Sequence, residues 1–471
     1  MSTFHSTVSR REFMRALGLT GAALGTAGLV APVFHDLDEV AASTDSVGPK
    51  MPWYVKKREA YNPTVPVDWS LVKPFDSDER KSWPYEKRPA TPPEVFEEQM
   101  LKIDPKLDWK DPRRQAMQNG ARASFSRSHT YGAWLGDLGA TTPEKANYPS
   151  WQGNVDENHK LLTGAVRFFG SQGVGPLERD DKFMKMMFKK NGNTTYTFDS
   201  SISLAEERKL AGNVTERAIP SSYNWAFVWI FRQPMDATLR QAGGGGKSTR
   251  NPLGLAENWA MAISYNRLDM VEDRIQKFLR GLGYHGVAGG MSANLPGNSM
   301  AIMSGWAEHV RMGQPVSFPR WGVTVRGTYK MITNLPLPAG QPIDFGNYEF
   351  CKTCEICSET CPSGSIQRGD PTWDGNPVGN PAQQYGFLGW RTEFQTCPHC
   401  PICHRMCPFN ALETDGYSFV HDVVKATITN TTVLNRFFAN MDRTFKYSEL
   451  PESGYWDVFD KHPVWGWDSR T

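Results

Sequence analysis

The chain of 471 residues carries 52 Lys plus Arg against 50 Asp plus Glu, a net charge of +2, so no overall basic surface exists for neutralising nucleic-acid phosphates. With 39% hydrophobic and 22% charged residues and a mean hydropathy of −0.50, it reads as a globular body and not as a polytopic membrane protein. Dense aromatic residues (16 Trp, 15 Tyr, 25 Phe) beside 33 Pro and 42 Gly predict a loop-rich chain whose core is filled partly by packed rings.

The first 42 residues have the shape of an export signal. Ser9-Arg10-Arg11-Glu12-Phe13-Met14 precedes an apolar stretch weakened by Gly18, Gly21, Gly25 and Gly28, and small residues at Val40-Ala41-Ala42-Ser43 offer a cleavage site. Paired arginines before such a stretch resemble a twin-arginine (Tat) signal, which exports proteins already folded. The bland alternative is a basic tail with a short amphipathic helix. Beyond it, no stretch approaches the ~18–20 apolar residues that span a bilayer.

Residues 43–150 form a Pro- and Trp-rich, loop-rich N-terminal unit, in which Trp53, Trp69, Trp83 and Trp109 recur without period. From 151 the texture changes, and residues 151–340 read as an α/β core. Residues 157–169 have apolar positions at helical spacing and stop at Gly170. Residues 223–231 are a continuous apolar and aromatic run, a buried strand. Gly243–Gly246 with Lys247 and Ser248 suggests a phosphate loop, but Gln241 stands where the pattern needs Gly, which leaves a surface loop. A long helix is expected over 256–279, with Met261, Leu268, Val271, Ile275, Phe278 and Leu279 on one face. A glycine-rich loop (289–294), a helix over 299–312 and a strand over 323–333 carrying Arg326 and Lys330 follow. No nucleophilic triad, H-E-x-x-H or G-x-G-x-x-G in a βαβ setting occurs.

All eight cysteines lie in two runs, Cys351/Cys354/Cys357/Cys361-Pro362 and Cys397/Cys400/Cys403/Cys407-Pro408. Each is C-x2-C-x2-C-x3-C-P, the run that holds [4Fe–4S] clusters in two-cluster ferredoxins. Three thiolates two residues apart wrap one cube, and the fourth leads away to the other. The expected quartets are crossed: Cys351, Cys354, Cys357 and Cys407 on one cluster, Cys361, Cys397, Cys400 and Cys403 on the other. Disulfides would scatter their cysteines along the chain, and zinc would leave the third and fourth of each run over. Two cubes make a wire, and the roughly 300 residues upstream exceed what an electron carrier needs, so that body should consume electrons. Residues 341–425 read as the cluster domain and 426–471 as a tail packed on the core.

Together these features resemble the respiratory, corrinoid-dependent reductive dehalogenases of organohalide-respiring bacteria. The likeness runs through the Tat stretch, Trp53-Tyr54-Val55, Val67-Asp68-Trp69 and Arg167-Phe168-Phe169-Gly170 with Val174-Gly175. It continues in Arg280-Gly281-Leu282-Gly283-Tyr284 and Asn334-Leu335-Pro336-Leu337-Pro338. It implies an α/β, nitroreductase-like core binding a base-off corrinoid (cobalamin-type), followed by a ferredoxin-like domain with two [4Fe–4S] clusters. The implied reaction is reduction of a carbon–halogen bond to carbon–hydrogen with release of halide, as the terminal reductase of organohalide respiration.

The resemblance also implies residue roles. The proton donor is the tyrosine nineteen residues before Tyr284, Tyr265, whose phenolate a nearby cation stabilises. That cation is Arg326 or Lys330, which sequence leaves open. An asparagine after the GLGY stretch falls on Asn294, with Asn298 behind it, although Gly290-Met291-Ser292 departs from the commoner Gly-Asn-Asp. No D-x-H-x-x-G offers a histidine to cobalt, and His399 and His404 read as residues beside a cluster or on the surface. Implied partners are a small chlorinated or brominated hydrocarbon, a small membrane-anchor protein and a membrane electron donor, with no nucleic acid and the oligomeric state open. The enzyme would work at the outer face of the cytoplasmic membrane. Two alternatives remain: a periplasmic iron–sulfur electron-transfer subunit, which would contain no cobalt, and an epoxyqueuosine-reductase-like corrinoid enzyme, which needs a basic tRNA face and no export signal.

Overall fold

In a computed structural model, residues 51–81, 92–107, 134–136, 138–240, 259–288, 294–373, 386–393, 396–397, 400–410, 417–429, 431–445 and 450–461 are described. The signal segment, the Gly243–Ser248 stretch, most of the 289–294 loop and His399 lie outside them.

Thirteen strands occur among the described residues: β1 (Lys56–Lys57), β2 (Phe75–Asp76), β3 (Val174–Glu178), β4 (Phe188–Asn191), β5 (Thr194–Asp199), β6 (Glu206–Lys209), β7 (Thr215–Pro220), β8 (Trp225–Arg232), β9 (Gly286–Ala288), β10 (Glu308–His309), β11 (Val316–Ser317), β12 (Val325–Thr333) and β13 (Ile343–Asp344). The central sheet has the order β3-β8-β12-β9 and is antiparallel throughout. Strand β8 is the expected apolar run, and its alternation serves two layers. Phe227, Trp229 and Phe231 face Leu162 and Val166 of helix α1 (Val155–Phe168) and Val271, Ile275 and Leu279 of helix α2 (Trp259–Leu282). Ala226, Val228 and Ile230 face Met300, Ala301 and Ile302 of helix α3 (Gly297–Met303). With helices covering both faces, every position of the strand must be apolar, which removes the alternating pattern of a half-exposed antiparallel strand.

Helix α1 begins where the sequence supplies a cap. The Asn154 side chain accepts from the Asp156 and Glu157 amides, while Glu157 reaches back to the Asn154 amide, satisfying donors that the first turn leaves open. The helix expected over 299–312 is shorter than that. It ends at Met303 because Gly305 takes φ +82 where a Cβ would meet the Gln341 carbonyl at 2.3 Å. The chain then enters the β10–β11 hairpin. A second sheet, β2-β4-β5-β7-β6, mixes parallel and antiparallel pairs, so the molecule is mixed α/β.

Strand β1 pairs with β13, tying the N-terminal region to the segment that leads into the cysteines. There the chain becomes short helices: α4 (Asn347–Cys354), α5 (Ile356–Glu359) and α6 (Ile402–Arg405), backed by α7 (Tyr417–Ile428) and α8 (Asn435–Phe445). Further on, the Glu452 amide donates to Asp104, fixing the tail to the N-terminal region.

Candidate functional site

Local geometry curls each cysteine run. Helix α4 carries Cys351 and Cys354, Glu355 then takes a left-handed φ of 55°, and α5 restarts with Cys357. That corner turns three thiols toward one cavity, which Cys407 of the second run completes, with Arg311 and Asn347 also in the wall. A larger cavity, about 510 Å3 against about 340 Å3 with the open mouths included, is lined by Cys361, Cys397, Cys400 and Cys403 together with Arg326 and His404. Each run therefore sends its fourth cysteine across to the other run's cavity. Cys357 also feels the charge of Cys403, which places those two thiols on the facing sides of the cavities.

All eight cysteines are free thiols. Burial pushes the Cys351 thiol up to about 11. Burial, reinforced by neighbouring thiolates, raises Cys354, Cys357, Cys400, Cys403 and Cys407 further. Thiols held this way give up their protons to a bound metal core and not to water. Among the described residues no three His, Cys, Asp or Glu side chains converge closely enough for one metal ion. Four thiols spread round a cavity suit a cube with iron at its corners.

Arg326, in the wall of the larger cavity, reaches from it to a tyrosine on the neighbouring helix. Tyr265 on α2 is 8% exposed, and Arg326 Nε donates to its hydroxyl at 2.6 Å, the guanidinium lying 5.3 Å from the ring centroid. Arg326 reaches this face because β12 is bulged. The register shifts between Val325 and Thr328, and Gly327 takes φ +85 where a Cβ would lie 2.3 Å from the Tyr329 ring. The extra residue reverses the alternation. Val325 thus joins Ile332 on the α3 side, while Arg326 turns toward α2. Arg326 also depresses its neighbour: burial first, then this guanidinium, pulls the His404 imidazole down to about 3, so the ring is neutral.

Sequence left Arg326 and Lys330 as equals, and the structure separates them. Lys330 is fully buried, and burial lowers it to about 8 against the opposing charge of Glu272. Asn294 is fully buried at φ 50. Its carbonyl accepts from the Phe188 amide, and among the described residues neither atom of its side-chain amide has a partner. Asn298 instead joins Thr328 and the Gln314 carbonyl. Sequence reading missed two residues at the smaller cavity, Arg311 and Asn347; the latter stands four residues before Cys351, one helical turn, which is the signal that could have found it.

No family model matches the chain. It is 31% identical to the chloroethene reductive dehalogenase of Dehalococcoides mccartyi (strain VS) over 540 aligned positions that cover 100% of both chains. It is 27% identical to the trichloroethene reductive dehalogenase of Dehalococcoides mccartyi (strain ATCC BAA-2266 / KCTC 15142 / 195), covering 94% of this chain and 95% of that one. Among solved structures, the catabolic reductive dehalogenase NpRdhA aligns with a TM-score of 0.54 at 17% identity, covering 83% of this chain and 49% of that one. Another reductive dehalogenase structure, described as suggesting a mechanism for B12-dependent dehalogenation, aligns at 0.53 over the same shares. At that identity the likeness concerns the fold, and this chain spans about half the length of those solved chains.

The chain belongs to the reductive dehalogenases. It is accordingly an oxidoreductase, and its reaction class is the replacement of a carbon–halogen bond by carbon–hydrogen with release of halide. Membership sets aside a pure electron carrier and a tRNA-modifying enzyme.

Proposed function

We propose that this enzyme reduces a small halogenated hydrocarbon at a corrinoid, drawing electrons through two [4Fe–4S] clusters and a proton from Tyr265. The observation that carries this reading is that Arg326, in the wall of the cavity lined by Cys361, Cys397, Cys400 and Cys403, donates to the Tyr265 hydroxyl. In this reading the α/β body is a nitroreductase-like core and the cysteine segment a ferredoxin-like domain.

The residues present fit the cofactors. Two quartets of buried or half-buried free thiols surround two cavities, and four thiolates each is what a cube requires. For the corrinoid, whose rim carries amide side chains, the support is buried polar atoms without partners among the described residues: the Asn294 amide, Gln314 Nε2 and Ser317 Oγ. Gln314 lies in the wall of the larger cavity. When bound base-off, the corrinoid supplies a low-valent cobalt at which the carbon–halogen bond breaks.

The protein's part is electrostatic and protonic. Tyr265 holds a proton at its hydroxyl, and the Arg326 guanidinium, fixed to that oxygen, stabilises the phenolate left when the proton goes to carbon. Tyr265 is packed among buried rings, Phe231 and Tyr329 with it, which keeps water from competing for that proton, and Met261, Met312, Pro315 and Ile366 give the nearby cavity an apolar side that suits an apolar guest. Chloroethenes are the first substrates to test, since the full-length relative acts on one by its name.

Residues 1–42 would export the folded, loaded enzyme to the outer face of the cytoplasmic membrane. No described helix is long and apolar enough to cross a membrane, so a small membrane-anchor protein would hold it near its membrane electron donor. The test is halide release from a panel of chlorinated and brominated hydrocarbons with reduced methyl viologen, beside cobalt and iron analysis. Protein that turns over without cobalt would overturn the reading.

A further inference from the structure

The two quartets are furnished differently. Around the first, Asn347 is fully buried and its Nδ2 donates to Cys351 Sγ at 3.3 Å. A thiolate only accepts, so the amide nitrogen and not its oxygen must face the sulfur. The residue is held from its backbone. Its own backbone amide donates to Glu308 at 2.8 Å, and one helical turn along α4 fixes its distance from Cys351.

A buried cation stands on the other side of the same residue. Arg311, 1% exposed, donates from Nε and Nη2 to the Cys351 carbonyl at 3.1 and 2.7 Å. Its guanidinium lies 4.7 Å from the Trp390 ring centroid, and it pairs with Glu355 at 3.2 Å. Around the second quartet, Cys361 Sγ meets the Ser363 hydroxyl at 3.5 Å, at the end of a hydroxyl chain through Ser365 to Thr396.

These contacts bear on electron flow. A cube ligated by four thiolates is an anion that gains a further negative charge on reduction. The cysteines of the first quartet are all buried and those of the second partly exposed along their cavity, and burial makes the added charge harder to accept. Hydrogen bonds to the sulfurs and a nearby fixed cation act the other way.

We propose that Asn347, with Arg311 behind it, raises the potential of the Cys351/Cys354/Cys357/Cys407 cluster, offsetting what burial takes from it. Asn347 is a positioning residue acting through the Cys351 thiolate. The inference rests on the cluster ligation proposed above. It goes beyond it in assigning one side chain to one cluster's potential.

The experiment is a potentiometric titration followed by electron paramagnetic resonance on the fully loaded enzyme, comparing wild type, Asn347→Leu and Ser363→Ala. Asn347→Leu keeps the volume and removes the donor. One midpoint moves to a more negative potential while the other stays, with iron content unchanged, and Ser363→Ala moves the other midpoint instead. Should Asn347→Leu fail to hold both clusters, wild-type enzyme labelled with 15N in asparagine side chains decides the matter, because a hydrogen-bonded amide gives a nitrogen hyperfine coupling to the reduced cluster. Unchanged midpoints with both clusters present, or no such coupling, overturns the proposal. Wild-type protein lacking two [4Fe–4S] signals would instead fail the ligation reading itself.

Discussion

Arg326 and Tyr265 stand 61 residues apart in the chain and meet at 2.6 Å, guanidinium Nε to phenol oxygen. The contact joins a bulged strand end to the second turn of a long helix, and it brings a permanent charge to a group whose usefulness depends on losing a proton. An arginine remains charged at any working pH, so the phenolate finds its partner already in place.

Tyr265→Phe should therefore lower dehalogenation by about 10²–10⁴-fold, the usual share of a positioned acid, while cobalt and iron content hold. Arg326→Leu should lose activity of similar order, and Arg326→Lys should restore part of it. Halide release by purified, fully loaded variants measures this, and unchanged turnover in Tyr265→Phe would exclude it as proton donor.

Gly327 creates the bulge that turns Arg326 toward α2. Gly327→Ala places a methyl at positive φ and against the Tyr329 ring, at a cost of about 1–3 kcal/mol. The variant should melt lower than wild type and lose more activity than its fraction folded explains, as Arg326 moves off the phenol. Activity normalised to folded, loaded protein separates the two effects.

The crossed quartets have an analytical consequence. Cys361→Ser should remove the cluster held with Cys397, Cys400 and Cys403, although Cys361 belongs to the other run. Cys407→Ser should remove the cluster of Cys351, Cys354 and Cys357. Each should bring iron from about eight toward about four atoms per chain. Spectra of the two variants should differ and together sum to the wild type; two variants losing the same cluster would contradict the cavity assignments.

Glu308 gives the stability a pH dependence. Burial, then the charge of Asp344, raises its carboxyl from 4.5 to about 8. The folded state therefore keeps a proton that the unfolded chain sheds, and the stability present below about pH 4.5 falls as pH rises through the folded value near 8. Glu308→Gln removes a group that must ionise in the interior. Its melting temperature should vary less than wild type between about pH 5 and 8 and exceed it at the upper end. Parallel curves for the two proteins would contradict the assignment.

Much of this was legible beforehand. The apolar run at 223–231 read as a buried strand and became β8 (Trp225–Arg232), and the helical spacing around Leu162 and Val166 named α1 to within two residues of its ends. The helix expected over 299–312 was too long, because apolar spacing continues through Trp306 and Val310 although Gly305 turns the chain. The reason Val310 is apolar is burial against the Cys351 side of the molecule, and periodicity cannot tell that from a helix face.

The sequence by itself set out the two cysteine runs and the short motifs that carry the family likeness, because spacing of two and three residues is a local property that survives without knowledge of the fold. Only the tertiary structure decided which cation meets the phenol and which side chains dress each quartet. Arg326 and Lys330 stand four residues apart on β12 and would share a face in a regular strand; the bulge between Val325 and Thr328 separates them, and that reversed alternation is settled by how β12 packs between α2 and α3. Asn347 and Arg311 reach Cys351 from one turn and from forty residues away, contacts that exist once the chain has closed around the cysteine-lined cavity.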